Sequence, residues 1–410
     1  MKLFVVPVPV FNENMVVEAY YFRFKNAENL IIGDQGSGVL DGTVNPKLLK
    51  MIDEIGVDTL SEGKPIFVPF TNITLLGEFD EYFQTSSSHV VIVLDSAVTG
   101  ESLYVDQIKR YKALGYKFAY NLKMQIKEID NVLQLMDYII VNQSTANKKE
   151  TLELLSKYNA TSIATHVSSY NTFNLAKATG YNLFEGRFYR VPVASIIPSD
   201  VNPIKVLAVQ LLNLVNNDNF ELDEVAKIVE KDIALTVSLL SHINAQQFGS
   251  KIKTIQHAAA MLGQKELRKW VSTAASSQLA SDKPMAINKI SLIRAKFAEN
   301  LAPLFEMAIH ADALFLMGLF SVIDVMLDLS IEEALGRVAV SDNIKDALVK
   351  HTGPFFTVYE FINFYEAADW TSVSRFLILH NIDADRVYDA YVNTITWYRD
   401  LMKSIEEGVE

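Results

Sequence analysis

The 410 residues are half hydrophobic, enough apolar surface for more than one core, and a chain of this length is expected to form two domains. Lys and Arg number 37 against 49 Asp and Glu, a net charge of −12 that argues against a broad nucleic-acid-binding surface. The absence of cysteine excludes disulfides, thiolate zinc, iron–sulfur clusters and thiol catalysis, and seven histidines leave any metal site to rest on carboxylates.

The opening MKLFVVPVPVFNEN reads as a first strand and not as a signal peptide, because Pro7 and Pro9 interrupt its apolar run. No run of about eighteen uncharged apolar residues follows, so neither membrane insertion nor any location other than the cytoplasm is expected. Short β-branched runs at 3–8, 16–24, 65–70, 89–94, 117–120, 138–141, 162–167 and 183–185 read as strands. Helical patterns at 45–58, 102–114, 150–158 and 170–179 lie between them, with Gly115 and Gly180 as stops. Eight strands alternating with helices predict a (β/α)8 barrel. The punctuated stretch from Ile196 to Pro203 ends this rhythm, giving expected domains of 1–197 and 198–410. Beyond it the spacing turns helical, with Val206, Val209, Leu212 and Val215 on one stripe, and patterns at 222–229, 232–244, 255–262 and 265–279 predict an all-α second domain.

A barrel enzyme carries its chemistry at the C-terminal ends of its strands. Here those positions hold Pro69, Val93, Asn121 with Leu122, Ile140 with Asn142, Thr165 and Glu185, and of these only Glu185 is ionisable. One carboxylate supplies neither a divalent-metal site nor an acid–base pair.

The first domain resembles the EAL family, through PVFNENMVVEAYYFRFK, KPIFVPFTNITLL, HVVIVLDS, YKALGYKFAYN, MDYIIVNQS, ATSIATHVSS and AKATGYNLFEGRFYRVP. The second is similar to the HDOD family through QLLNLVNNDNFELDEVAKIVEKDIALTVSLLSHINAQQFGSKIKTIQHAAAMLGQKELRKW, SLIRAKFAENLA and ALFLMGLFSVIDVML. The tandem implies a bacterial signal-transduction protein. Active EAL members are barrel phosphodiesterases that hydrolyse cyclic di-GMP with two divalent metals. By this resemblance their ligand and catalytic positions fall here on Pro69, Val93, Asn121, Leu122, Ile140 and Thr165. The Glu-Ala-Leu signature falls on Tyr21-Phe22-Arg23, or on Glu18-Ala19-Tyr20 after a shift of three. HDOD domains are helical relatives of HD phosphohydrolases that lack the His-Asp pair, and no His-Asp dipeptide occurs in this chain.

The expectation is therefore a non-catalytic protein with a degenerate EAL barrel, without metal or cofactor, acting through contacts with other proteins in cyclic di-GMP-linked control of motility or biofilm. Its oligomeric state is left open. An alternative is a metal-independent receptor for cyclic di-GMP or another nucleotide, with Arg23, Glu185, Arg187 and Arg190 as candidate ligand-binding residues. A residual phosphodiesterase is a second alternative and would need Glu185 to converge with Glu18, Asp34 or Asp95. His166 is expected to face away from Thr165 by strand alternation. His242 and His257 read as core-edge histidines, Lys265, Arg268 and Lys269 beside Trp270 as a solvated helix face, and the glycine-rich 33–42 as a loop over the barrel mouth.

Overall fold

The computed structural model describes residues 2–26, 44–79, 87–122, 129–142, 153, 155–192, 203–217, 219–245, 252 and 254–407. The glycine-rich 33–42 with Asp34, the start of the expected 150–158 helix and the stretch from Ile196 to Asn202 lie outside these residues.

Strands β1 (Leu3–Phe11), β2 (Val17–Asn26), β3 (Ile66–Pro69), β4 (Val90–Leu94), β5 (Lys117–Leu122), β6 (Tyr138–Asn142), β7 (Thr161–Val167) and β8 (Leu183–Gly186) close into a barrel in sequence order. From β2 to β8 all neighbours are parallel, whereas β1 runs antiparallel to both β2 and β8. The connection explains the reversal: a parallel crossover needs a dozen or more residues, and only a tight turn separates β1 from β2. Asn12 builds that turn, its Oδ1 accepting from the backbone N–H of Asn14 at 2.9 Å and of Val16 at 3.1 Å.

Val10, Ala19, Phe67, Val91, Val93, Ala119, Ile140 and Ile163 fill the barrel, with Tyr21, Tyr138 and Leu183 packed against them. Strand alternation then sends the next inward positions, Arg23, Pro69, Asn121, Asn142, Thr165 and Glu185, to the C-terminal mouth. Helices α1 (Val44–Ile55), α2 (Val57–Ser61), α3 (Asn72–Leu76), α4 (Ser102–Ala113), α5 (Asp130–Leu133) and α6 (Tyr170–Thr179) lie between the strands. The expected single helix over 45–58 is divided at Gly56, whose φ of 88° leaves the helical region. Gly180 ends α6 at φ 99°, as its position predicts, while Ser169 and Thr172 close the other end with a capping box.

The second half is helical: α7 (Pro203–Val215), α8 (Leu222–Val229), α9 (Ile233–Ala245), α10 (Ile255–Leu279), α11 (Met285–Leu301), α12 (Ala311–Phe320), α13 (Ile323–Leu327), α14 (Ile331–Gly336), α15 (Asp342–Lys345), α16 (Pro354–Glu366), α17 (Trp370–Leu379) and α18 (Ala384–Glu407). α11 and α12 approach so closely that a Cβ on Gly318 would stand 2.4 Å from the Arg294 carbonyl oxygen. A small polar network accompanies that contact: Ser291 donates to Leu319 O at 2.7 Å and Arg294 to Ser321 Oγ at 3.1 Å.

The chain forms two compact units, Met1–Val191 with Phe364–Ile378, and Pro192–Asn363 with Leu379–Glu410. The barrel unit is thus discontinuous in sequence, where the sequence reading expected an unbroken 1–197. Aromatic packing carries the added segment. The Phe4 ring lies 5.8 Å from Tyr365 and 6.1 Å from Trp370, which lie 5.7 Å from each other. Nothing in the spacing of 364–378 distinguishes it from the bundle helices around it. No helix among the described residues is long and apolar enough to cross a membrane.

Candidate functional site at the barrel mouth

The ends of β7 and β8 do not finish as regular strands. Their register shifts between Ala164 and Val167, with His166 at φ 62°. Gly186 permits this geometry, since a Cβ there would stand 2.0 Å from the Val167 carbonyl oxygen. The bulge breaks the alternation that was expected to send His166 away from Thr165. Instead the His166 ring nitrogen Nδ1 is 3.2 Å from Thr165 Oγ1, and the side chain lines the mouth cavity.

That cavity, of about 290 Å³, gathers all four candidate residues, Arg23, Glu185, Arg187 and Arg190. Glu185 is buried. Its Oε1 accepts from Arg23 Nη2 at 3.0 Å and its Oε2 from the His166 backbone N–H at 3.3 Å, so both oxygens are held. Arg190 pairs with Glu366 at 2.8 Å and donates from Nε to Tyr189 Oη at 3.2 Å. Arg187 lies exposed at the rim. Beneath them, burial pushes the Tyr21 hydroxyl up to about 12, with Arg23 opposing and Glu185 and Asp95 adding to the rise.

Glu366 is the residue that the sequence reading missed here, and His166 is one that it turned away from Thr165. Glu366 arrives on the distant segment 364–378, for which the sequence carries no signal, and His166 is placed by a bulge that only the bare Gly186 beside it hints at.

Neither Asp95 nor Glu18 hydrogen-bonds to Glu185, although Asp95 acts on the same Tyr21 hydroxyl. Asp95 Oδ1 accepts from the Ala97 N–H at 2.9 Å, and Glu18 is exposed and accepts from Asn12 Nδ2 at 2.6 Å. Among the described residues no three His, Asp or Glu side chains come together as a metal site. The side chains at the mouth, amides, a hydroxyl, the His166 imidazole and one carboxylate already held by Arg23, do not supply the several free carboxylate oxygens that a pair of divalent cations needs. In the helical unit His242 is half-buried, and burial pushes its imidazole down with Glu266 opposing, whereas His257 is exposed and not at the core edge.

Comparison with protein families matches residues 201–339 to the HDOD domain. The helical half carries an HDOD domain. Upstream of it, the eight-stranded barrel is similar to EAL domains. A standalone EAL protein of Vibrio cholerae O395, solved with c-di-GMP bound, matches with 15% identity and a TM-score of 0.37, over 45% of this chain and 89% of that one. The uncharacterised protein YuxH of Bacillus subtilis strain 168 is 26% identical over 419 residues, spanning 98% of this chain and 99% of YuxH. The cyclic di-GMP phosphodiesterase CdgJ of Vibrio cholerae El Tor is 31% identical over 245 residues. This match takes in 59% of the present HDOD-containing chain and 56% of CdgJ, so just over half of the phosphodiesterase is represented.

Proposed function

We propose that this protein acts in cyclic di-GMP-linked signalling without hydrolysing the nucleotide, its EAL-like barrel and HDOD domain serving as surfaces for other proteins. The observation that carries this reading is the fate of Glu185. The one carboxylate among the inward strand-end residues is buried, held on one oxygen by Arg23 and on the other by the His166 N–H, and its inward neighbours are Pro69, Asn121, Asn142 and Thr165. A carboxylate with both oxygens held in this way is not an open metal ligand. The test is turnover of cyclic di-GMP with Mg²⁺ or Mn²⁺. Hydrolysis no faster than in a metal-free control is expected, and turnover of the kind that the name of CdgJ describes would overturn the reading.

A second reading, a receptor that binds cyclic di-GMP without metal, draws on the convergence of Arg23, Arg187, Arg190 and His166 around one cavity. It is the weaker of the two. Arg23 and Arg190 each already hold a carboxylate, and 290 Å³ lies at the lower end of the roughly 300–1,000 Å³ of ligand pockets. Calorimetric titration with cyclic di-GMP separates the readings: heat that saturates and disappears in Arg190→Ala supports the receptor.

A further inference from the structure

The HDOD half contains a larger cavity, of about 510 Å³, that none of these readings uses. Three elements frame it. α10 is broken at Gly263 (φ 73°, ψ 171°), and the fresh helical segment that begins there presents Lys265, Arg268 and Lys269 along one face. Asn216 follows the end of α7, and Ile309, Phe315 and Leu316 come from the approach to α12 and its body. The remaining wall around Ala339 is fixed to α7: Asn213 accepts from the Ala339 N–H at 2.6 Å and donates to Arg337 O at 3.0 Å. The frame is therefore preformed.

The expectation of a solvated basic face is corrected in part. Lys265 is 70% exposed and pairs with Asp312 at 3.1 Å. Lys269, in contrast, is 24% exposed, pairs with Glu299, and sets its Nζ 4.7 Å from the centre of the Phe315 ring. Arg268 lies between them, half-buried, with its guanidinium 5.6 Å from the Phe220 ring.

Two features ask for a ligand. Both amide atoms of Asn216, which lines the cavity, are buried without a hydrogen-bond partner, a destabilising arrangement that a molecule with a matching donor and acceptor would relieve. Ile309, at the cavity's edge, is 89% exposed, apolar surface that an occupant would remove from water. The lining carries three cations and one carboxylate, Asp312, and the positive end of the helical segment after Gly263 adds the same sign.

We infer that this cavity binds a purine mononucleotide. A carboxamide offers a donor and an acceptor side by side, which is the complement of a purine edge. The apolar residues Ile309, Leu316 and Val340 would cover the faces of the base, and the phosphate would be met by Arg268, which also donates to the Asn217 carbonyl, and by Lys265 on exchanging its exposed pair with Asp312. The volume lies within the range for a ligand of this size.

Calorimetric titration of the full chain with AMP and GMP tests the inference. Saturable binding of at least one nucleotide is expected, with the matching nucleoside and ribose 5-phosphate each at least tenfold weaker. Asn216→Leu should weaken nucleotide binding tenfold or more. Lys265→Met, at an exposed position that leaves folding intact, should weaken the nucleotide severalfold and the nucleoside hardly at all. Absence of saturable binding to both nucleotides at millimolar concentration overturns the inference. So does binding that both cavity variants leave unchanged, or binding that is lost in Arg23→Ala of the barrel mouth, which would place the ligand there instead.

Discussion

At the barrel mouth, Arg23 meets Glu185 at 3.0 Å and Arg190 meets Glu366 at 2.8 Å, so polar groups that crowd into a small cavity are matched to one another. In the HDOD half, the Asn216 amide is enclosed without a partner beside Ile309, which stands almost fully in water. Cations are paired at both places, Lys265 with Asp312 and Lys269 with Glu299 in the HDOD half, so the difference lies in the orphaned amide. A matched pair must be broken before a ligand can use either member, whereas an orphaned group gains from an occupant at once. Arginine clusters are poor guides until their counter-charges are known.

The comparison can be broken most severely at the two glycines that allow the close backbone approaches. Gly186→Ala would place a methyl 2.0 Å from the Val167 carbonyl oxygen, and Gly318→Ala one 2.4 Å from that of Arg294. Each should destabilise its own unit by about 3 kcal/mol or more, read by denaturant unfolding, because backbone and not a flexible side chain must move. Unchanged midpoints would show that the β7–β8 bulge and the α11–α12 contact are not as tight as described.

Next in size is the Glu185 pair. Arg23→Ala strands a buried carboxylate and should cost about 1–3 kcal/mol, reduced from the value for a fully buried pair because the Arg23 side chain is 38% exposed. The double variant Arg23→Met with Glu185→Leu should recover most of that loss in the same unfolding measurement. Failure to recover would mean that Glu185 does more than balance Arg23. Arg190→Ala should cost about 1–2 kcal/mol, because it releases Glu366 and with it one tie of the segment 364–378 to the barrel. Limited proteolysis should then cut this segment faster than in the parent protein.

The smallest effect is pH-dependent and belongs to the HDOD half. Burial pushes the Glu299 carboxyl up, but hydrogen bonds and charge from Lys269 and Lys296 outweigh it and leave the group below its ordinary 4.5. A folded-state value below the unfolded one adds stability that is complete above about pH 4.5 and is lost as pH falls through the folded value. Glu299→Gln should therefore lower stability by about 1 kcal/mol at pH 7 and narrow the difference between pH 7 and pH 3, followed by thermal unfolding. An unaltered difference would show that Lys269 does not depend on Glu299 for its place in the cavity wall.

Much of the barrel is legible along the chain because most strands are short runs rich in β-branched or aromatic residues and each inward position follows from period two. Val91, Val93, Ala119 and Ile140 fill the core where that alternation sends them, and Gly180 stops its helix where a left-handed cap is needed. The direction of β1 is legible only from what is missing, a connection long enough for a crossover. The position of His166 is not, because a bulge of one residue reverses the face without changing composition. Glu366 is equally hidden: pairing across 176 residues leaves no local mark. For Lys269, helical spacing predicts the shared face with Lys265, but burial of one and exposure of the other depends on α11 and α12, which contribute Glu299 and Phe315.

The aromatic contact between Phe4 and the Tyr365–Trp370 pair also has a meaning in time. At about 5–20 residues per second, a ribosome delivers Tyr365 roughly 20–70 s after Phe4. Throughout that interval the first strand of the barrel is made before the rings that cover it. The N-terminal unit, first to be synthesised, is thus among the last to be completed. A nascent chain halted between Gly186 and Phe364 should expose Phe4 to chaperones and proteases, even though every strand of the barrel has already been translated.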